Sequence, residues 1–171
     1  MNKMLVVVFG SEVAASEGLT ALKGLHNDGD ITLYATSVIV KNMIGEVSVK
    51  EVSDEGPIGT GIGMLTGSII GLLGGPAGVA LGMSLGALTG MISDLHQSGI
   101  DVQFVDDVSR ALLPGTVAVL ADIEEDWTAP IDAQMEKLGG IVFRRLRSEV
   151  SEDQMVRESN ETKAEIALLR E

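Results

Sequence analysis

The stretch GPIGTGIGMLTGSIIGLLGGPAGVALGMSLGALTGMIS, Gly56 to Ser93, decides how the rest of this chain is read. From Pro57 to Ser93 it carries no charged side chain, and 12 of the chain's 21 glycines fall between Gly56 and Gly90. Gly59, Gly63, Gly67, Gly71 and Gly75 are spaced by four, and so are Gly74, Gly78, Gly82, Gly86 and Gly90. Residues four apart share one ridge of a helix, so each series lays down a groove of bare backbone. Between the two series, Gly74-Gly75-Pro76 makes a turn with proline at the first position of a second helix. The pattern predicts a glycine-zipper helical hairpin with arms Ile58–Leu73 and Pro76–Ser93.

Glycine inside a helix costs about 1 kcal/mol relative to alanine. Several per arm must be offset by close backbone approach, through dispersion and Cα–H···O contacts. The remaining faces carry Ile58, Ile62, Leu65, Ile69, Leu72, Leu81, Leu85, Leu88 and Ile92. A hairpin that is apolar all round buries its outside as well as its inside, against lipid, copies of itself or a covering domain. Arms of this length span roughly 24 and 27 Å, slightly short of the ~30 Å hydrocarbon core. They suit a membrane hairpin with local thinning, or a bundle built from several copies. A flexible linker would be rich in serine and polar residues instead.

Outside the block the composition is ordinary for a globular domain and strongly acidic. The chain has 171 residues, 45% of them apolar, with 12 Lys+Arg against 25 Asp+Glu and a formal net charge of −13. Such a balance argues against nucleic acid as a partner, because a phosphate backbone needs a basic surface. With no cysteine, disulfides, thiolate metal sites and cysteine nucleophiles are excluded together.

Working outward, Met4–Phe9 is a short apolar run that reads as a buried strand, too short for the ~7–15-residue core of a secretory signal. No cleaved signal is expected. Ser11 can cap a helix with Glu12 in its first turn, and Ala15, Leu19, Leu22 and Leu25 recur at helical spacing until Asn27-Asp28-Gly29-Asp30. Ile31–Lys41 is rich in β-branched residues, Asn42–Gly45 is a turn, and Glu46–Lys50 alternates polar with apolar. After the block, Phe104–Leu113 reads as a helix and Thr116–Ala121 as a strand. Ile131, Met135 and Leu138 mark another helix, closed by Gly139-Gly140. Ile141–Phe143 starts a last strand, and a polar helical tail begins with the capping pattern at Ser151.

This order predicts an α/β (α+β) sandwich with helices mainly on one sheet face. Its core is a ferredoxin-like β-α-β-β-α-β unit, interrupted by the hairpin after the third strand and followed by an extra α-β unit and a C-terminal helix. The divisions are 1–55 and 96–149 for the two parts of the domain, 56–95 for the hairpin and 150–171 for the tail.

This layout resembles a bacterial family of unknown function, the domain-of-unknown-function 1269 family, whose members are often labelled predicted membrane proteins. The resemblance rests on Leu5-Val-Val-Val8 before a helix, the hairpin Val38–Val49, the block Gly56–Gly90 and Leu113-Pro-Gly-Thr-Val-Ala-Val-Leu120. It covers approximately residues 3–147. It implies an α/β domain bearing a glycine-rich hairpin, with a non-catalytic role, and supplies no catalytic residues.

The residues themselves point the same way. Gly82-Met-Ser84-Leu-Gly86 matches G-x-S-x-G but lies inside the glycine series, with no strand ahead to hold the serine on a strained turn. No phosphate-binding loop occurs, and Gly59-Thr-Gly61-Ile-Gly63 fails the dinucleotide spacing. His26 and His96 lack metal-ligand spacing. Asp122-Ile-Glu124-Glu125-Asp126 reads as a solvated acidic loop without the ligand spacing of a calcium site. Arg144, Arg145 and Arg147 are the one basic cluster, able to meet anionic lipid headgroups or the acidic tail. No cofactor, metal or catalytic residue is expected.

The functional expectation is a non-enzymatic protein that associates with itself, with the lipid bilayer as a second partner. The nine glycines Gly59, Gly63, Gly67, Gly71, Gly74, Gly78, Gly82, Gly86 and Gly90 form the helix–helix contact. It would be cytoplasmic, attached to the inner face of the membrane or inserted by the hairpin. A soluble homo-oligomeric scaffold, with the hairpins in a shared core, is the alternative. It draws support from the short arms and from the lack of flanking aromatics or a basic border. A small-ligand sensor on the sheet is a third reading.

Overall fold

The structure is a computed structural model that describes residues 2–54, Thr66 and 102–146. Apart from Thr66, the hairpin arms, the turn at Gly74-Gly75-Pro76 and the tail from Ser151 lie outside the described residues.

The described chain is α+β. It runs β1 (Asn2–Phe9), α1 (Glu12–Asp28), β2 (Ile31–Lys41), β3 (Val47–Asp54), α2 (Val102–Ala111), β4 (Val117–Glu125), α3 (Ala129–Lys137) and β5 (Ile141–Leu146). The strands form one sheet in the order β3-β2-β4-β1-β5, antiparallel at every pairing. β4 lies between β1 and β2, and β1 lies between β4 and β5. The units β1-α1-β2 and β4-α3-β5 therefore interleave, each leaving a gap that a strand of the other fills.

Local chemistry accounts for the first helix as the sequence predicts. The Ser11 side chain accepts from the Ala14 N–H at 3.2 Å, and Gly29 ends the helix in the left-handed conformation at φ 82°. The N–H groups of Gly29 and Asp30 return to the carbonyls of His26 and Leu25, so the last turn keeps its hydrogen bonds.

β1 and β4 are apolar on both faces because both faces are covered. On one side, Leu5, Val7 and Phe9 of β1 and Val117, Val119, Ala121 and Ile123 of β4 pack against α1 and α3. On the other, Met4, Val6, Val8, Ala118 and Leu120 meet Phe104, Val105, Val108 and Leu112. Two of the three described helices thus share a face, and α2 takes the opposite one. An amphipathic helix needs only one dry stripe, and the sequence of α2 does not say which side of the sheet supplies it.

β2 changes faces midway. Leu33 pairs with Ile123 and Ala35 with Asp122, so Tyr34 is an extra residue in a β-bulge. Ile31 and Leu33 face α1, and after the bulge Val38 and Val40 do so, while Ala35 and Ile39 belong to the α2 side. One inserted residue reverses the alternation. A second irregularity falls between Val38 and Ile39, where Lys50 of β3 has no opposite partner. The predicted strict alternation of Glu46–Lys50 therefore stops at that point, and β3 continues to Asp54.

Candidate functional site

The registers gather several chain ends at one end of the sheet. Asn2 lies opposite Glu124, Lys3 opposite Leu146, Ile31 opposite Glu125 and Ala35 opposite Asp54. α2 also begins here, because the Phe104 ring lies 6.0 Å from the Arg145 guanidinium. Asp54 and Val102, which flank the glycine block in sequence, therefore share this end.

The acidic run at Asp122 is not a loop. β4 continues through it to Glu125, and both Asp122 and Glu125 are buried. Strand alternation sends Asp122 and Glu124 toward the α2 face and Glu125 toward α1 and α3, so the carboxylates do not converge. Among the described residues no group of three or more His, Asp or Glu side chains is placed to hold a metal ion.

Glu125 is instead the centre of an ion cluster. Its Oε1 accepts from Lys3 Nζ at 3.0 Å and from Arg144 Nε at 2.7 Å, and its side chain is fully buried. Arg144 Nη1 also donates to Asp132 Oδ1 at 2.6 Å, and Nη2 donates to the Thr128 carbonyl at 3.3 Å. Three strands and the start of α3 are tied together by two cations and two carboxylates. A buried carboxylate keeps its charge only when such partners replace water. Sequence reasoning missed this cluster because Lys3 and Glu125 are 122 residues apart. The one available signal was a lone lysine directly before an apolar strand.

The cationic cluster predicted from the sequence is divided by the same alternation. Arg144 turns to the α1 and α3 side with its three acceptors, and Arg145 lies over Phe104 on the other. Arg147 is outside the described residues, as are all nine predicted zipper glycines.

Two further polar contacts mark the bulge. Tyr34 Oη donates to Glu124 Oε2 at 2.7 Å. This bond holds the Glu124 carboxyl below its ordinary range, and it raises the Tyr34 phenol, which must give up that hydrogen bond's proton to ionise. Because the Glu124 value is depressed on folding, the pair's stabilising effect is present above the ordinary glutamate range. It is lost as pH falls through the lowered folded value. In Tyr34→Phe, a carboxyl carbon NMR titration should show the Glu124 midpoint moving up toward 4.5, the usual value. An unmoved midpoint would refute the assignment. Beside it, His26 Nδ1 lies 3.3 Å from the Leu33 nitrogen and 3.4 Å from the Ile31 carbonyl oxygen, accepting from the first in one tautomer and donating to the second in the other.

Among the described residues no helix is long and apolar enough to cross a membrane. No curated protein and no solved structure matches the chain. A family model described as Protein of unknown function (DUF1269) matches residues 60–159, more than half of the sequence. The match starts inside the glycine block, takes in α2, β4, α3 and β5, and continues past Glu149. It begins later and ends later than the resemblance drawn from the sequence motifs. The chain belongs to the family of proteins of unknown function described as DUF1269.

Proposed function

We propose that this protein is a non-enzymatic, self-associating protein whose glycine-zipper hairpin attaches it to a membrane, assembles it with its own copies, or does both. The observation that carries this reading is the uncharged run Pro57–Ser93 with glycine at every fourth position in two successive series. Such a run has no charged face to give to water, and its glycines are costly in any helix that does not pack closely. The shared location of Asp54 and Val102 supports it, since an inserted hairpin must leave and return at one place.

The same topology supports a ferredoxin-like reading with a different assignment from the predicted one: β1-α1-β2 and β4-α3-β5 are the two halves of the split unit, and β3 and α2 are not part of it. On that reading β3, the glycine block and α2 together form one long insertion between β2 and β4. The hairpin is then an addition to a frame that is already closed by two interleaved units.

Cell fractionation with a carbonate wash tests the membrane arm of the proposal. Retention in the washed membrane is expected if the hairpin sits in lipid. Release with a native mass of several copies selects the soluble homo-oligomer, with hairpins forming the shared core. Release as a monomer overturns the proposal. In either surviving case, Gly67→Leu combined with Gly82→Leu should disrupt assembly by keeping the backbones apart. An unchanged native mass in that variant would refute the zipper.

A further inference from the structure

Among the described residues α1 packs mainly over β2, β4 and β1, and it meets β3 through the Glu12–Lys50 ion pair at 2.6 Å. Beside the bulge lies a cleft of about 230 Å³, lined by Lys23, His26 and Asn27 from α1, by residues 33–36 of β2 and by Ser53 of β3. Ser53 lies directly opposite Thr36 in the register, so their side chains share the face that α1 overlooks.

The lining differs from the rest of the molecule in charge. The chain carries 25 acidic against 12 basic side chains, yet among the described residues no carboxylate lines this cleft. Lys23 makes no ion pair among the described residues. His26 has its Nδ1 engaged by the backbone at Ile31 and Leu33, which leaves Nε2 as the ring nitrogen without one of these contacts. Asn27, Thr36 and Ser53 add neutral amide and hydroxyl groups. Leu33, on the α1 side of the sheet, supplies apolar surface. One cation, several neutral donors and an apolar patch in a concave space are the elements of a small-molecule site.

We propose that this cleft binds a small monocarboxylate whose oxyanion is held by Lys23. The charge count selects a monoanion. Asp28, Asp30 and Glu51 are exposed close by along α1, its exit and β3, and they oppose a second negative charge. The volume lies below the ~300–1,000 Å³ of drug-sized sites, so the ligand is a short-chain acid. Leu33 takes its carbon skeleton, and the hydroxyls of Thr36 and Ser53 suit a hydroxyl on it. This assignment stands apart from the role of the hairpin.

The test uses the full-length chain with its tyrosine amide nitrogen labelled, because Tyr34 is the one tyrosine in the sequence and lines the cleft. Sodium lactate is the probe, titrated against sodium chloride at matched ionic strength. Saturable movement of the Tyr34 amide resonance is expected. Lys23→Met, a surface change, should weaken binding about tenfold or more, the usual loss for a charge-assisted hydrogen bond. Lys137→Met on α3 should bind as the unaltered chain does. Absent or non-saturating shifts would overturn the proposal, and so would equal affinity in Lys23→Met. Tighter saturation by sodium phosphate, or by choline chloride, would overturn the choice of a monocarboxylate.

Discussion

Replacing Arg144 by methionine should destabilise the fold by about 3 kcal/mol, the lower part of the range for breaking a buried ion pair. The cost arises at Glu125, not at the arginine. Glu125 Oε1 would keep only the Lys3 ammonium, and its Oε2 already has no hydrogen-bond partner among the described residues. Its side chain has no exposed surface through which water could compensate. Asp132, by contrast, is 46% exposed and loses little when the guanidinium goes. A urea titration of Arg144→Met should therefore show a clear loss, and Arg144→Met with Glu125→Met should recover a large part of it. Apolar side chains of similar volume replace a buried pair without leaving a charge behind. A single variant as stable as the unaltered chain would refute the assignment, as would a double variant no better than the single one.

Gly18→Ala should destabilise by about 1–3 kcal/mol, the range for overpacking a filled core. Helix propensity alone predicts the reverse, a gain of about 1 kcal/mol on replacing a glycine in mid-helix. The difference lies in Phe9. A Cβ at Gly18 would overlap Phe9 Cζ and come to 2.9 Å from Cε2 and 3.1 Å from Cε1. The ring has no retreat. On the α3–β5 connection, a Cβ at Gly140 would come to 2.8 Å from Phe9 Cε1 and 2.6 Å from Val7 Cγ1. Phe9 is buried between two stretches of bare backbone, and both glycines are there for the room they leave.

Gly24 provides the contrast on the same helix. Nothing lies within 4 Å of a Cβ built there, so Gly24→Ala should stabilise by up to about 1 kcal/mol. Thermal melts of the two alanine variants should move in opposite directions. Phe9→Leu shortens the ring away from Gly18, so the double variant with Gly18→Ala should lose less than the two single losses added together. Strict additivity would show that the ring and the helix backbone do not compete for this space.

The elements themselves were largely legible in the amino-acid sequence. α1 begins after Ser11 and ends at Gly29 because a hydroxyl that caps and a glycine that tolerates positive φ are local requirements. β2 spans the β-branched run Ile31–Lys41, and α2 buries Phe104, Val105 and Val108, with Leu112 just past its end, as their spacing predicts. The basic residues of the last strand were visible as a cluster, and the buried faces of α1 followed from period alone.

Long-range pairing decided the rest. Asp122–Glu125 read as a wet acidic loop because nothing nearby in sequence neutralises it. Lys3 and Arg144 do so only once β1 and β5 lie beside and beyond β4. The change of face at Tyr34 was equally hidden, since a bulge is a mismatch between two strands and belongs to neither alone. The cleft beside it depends on that bulge and on where α1 stops. Capping, period and charge-free runs are properties of neighbouring residues, so the sequence determined the helices, most of each strand and the uncharged glycine series. Strand order, the side of the sheet taken by α2 and the partners of Glu125 depend on which distant segments meet, and the tertiary structure alone sets those distances.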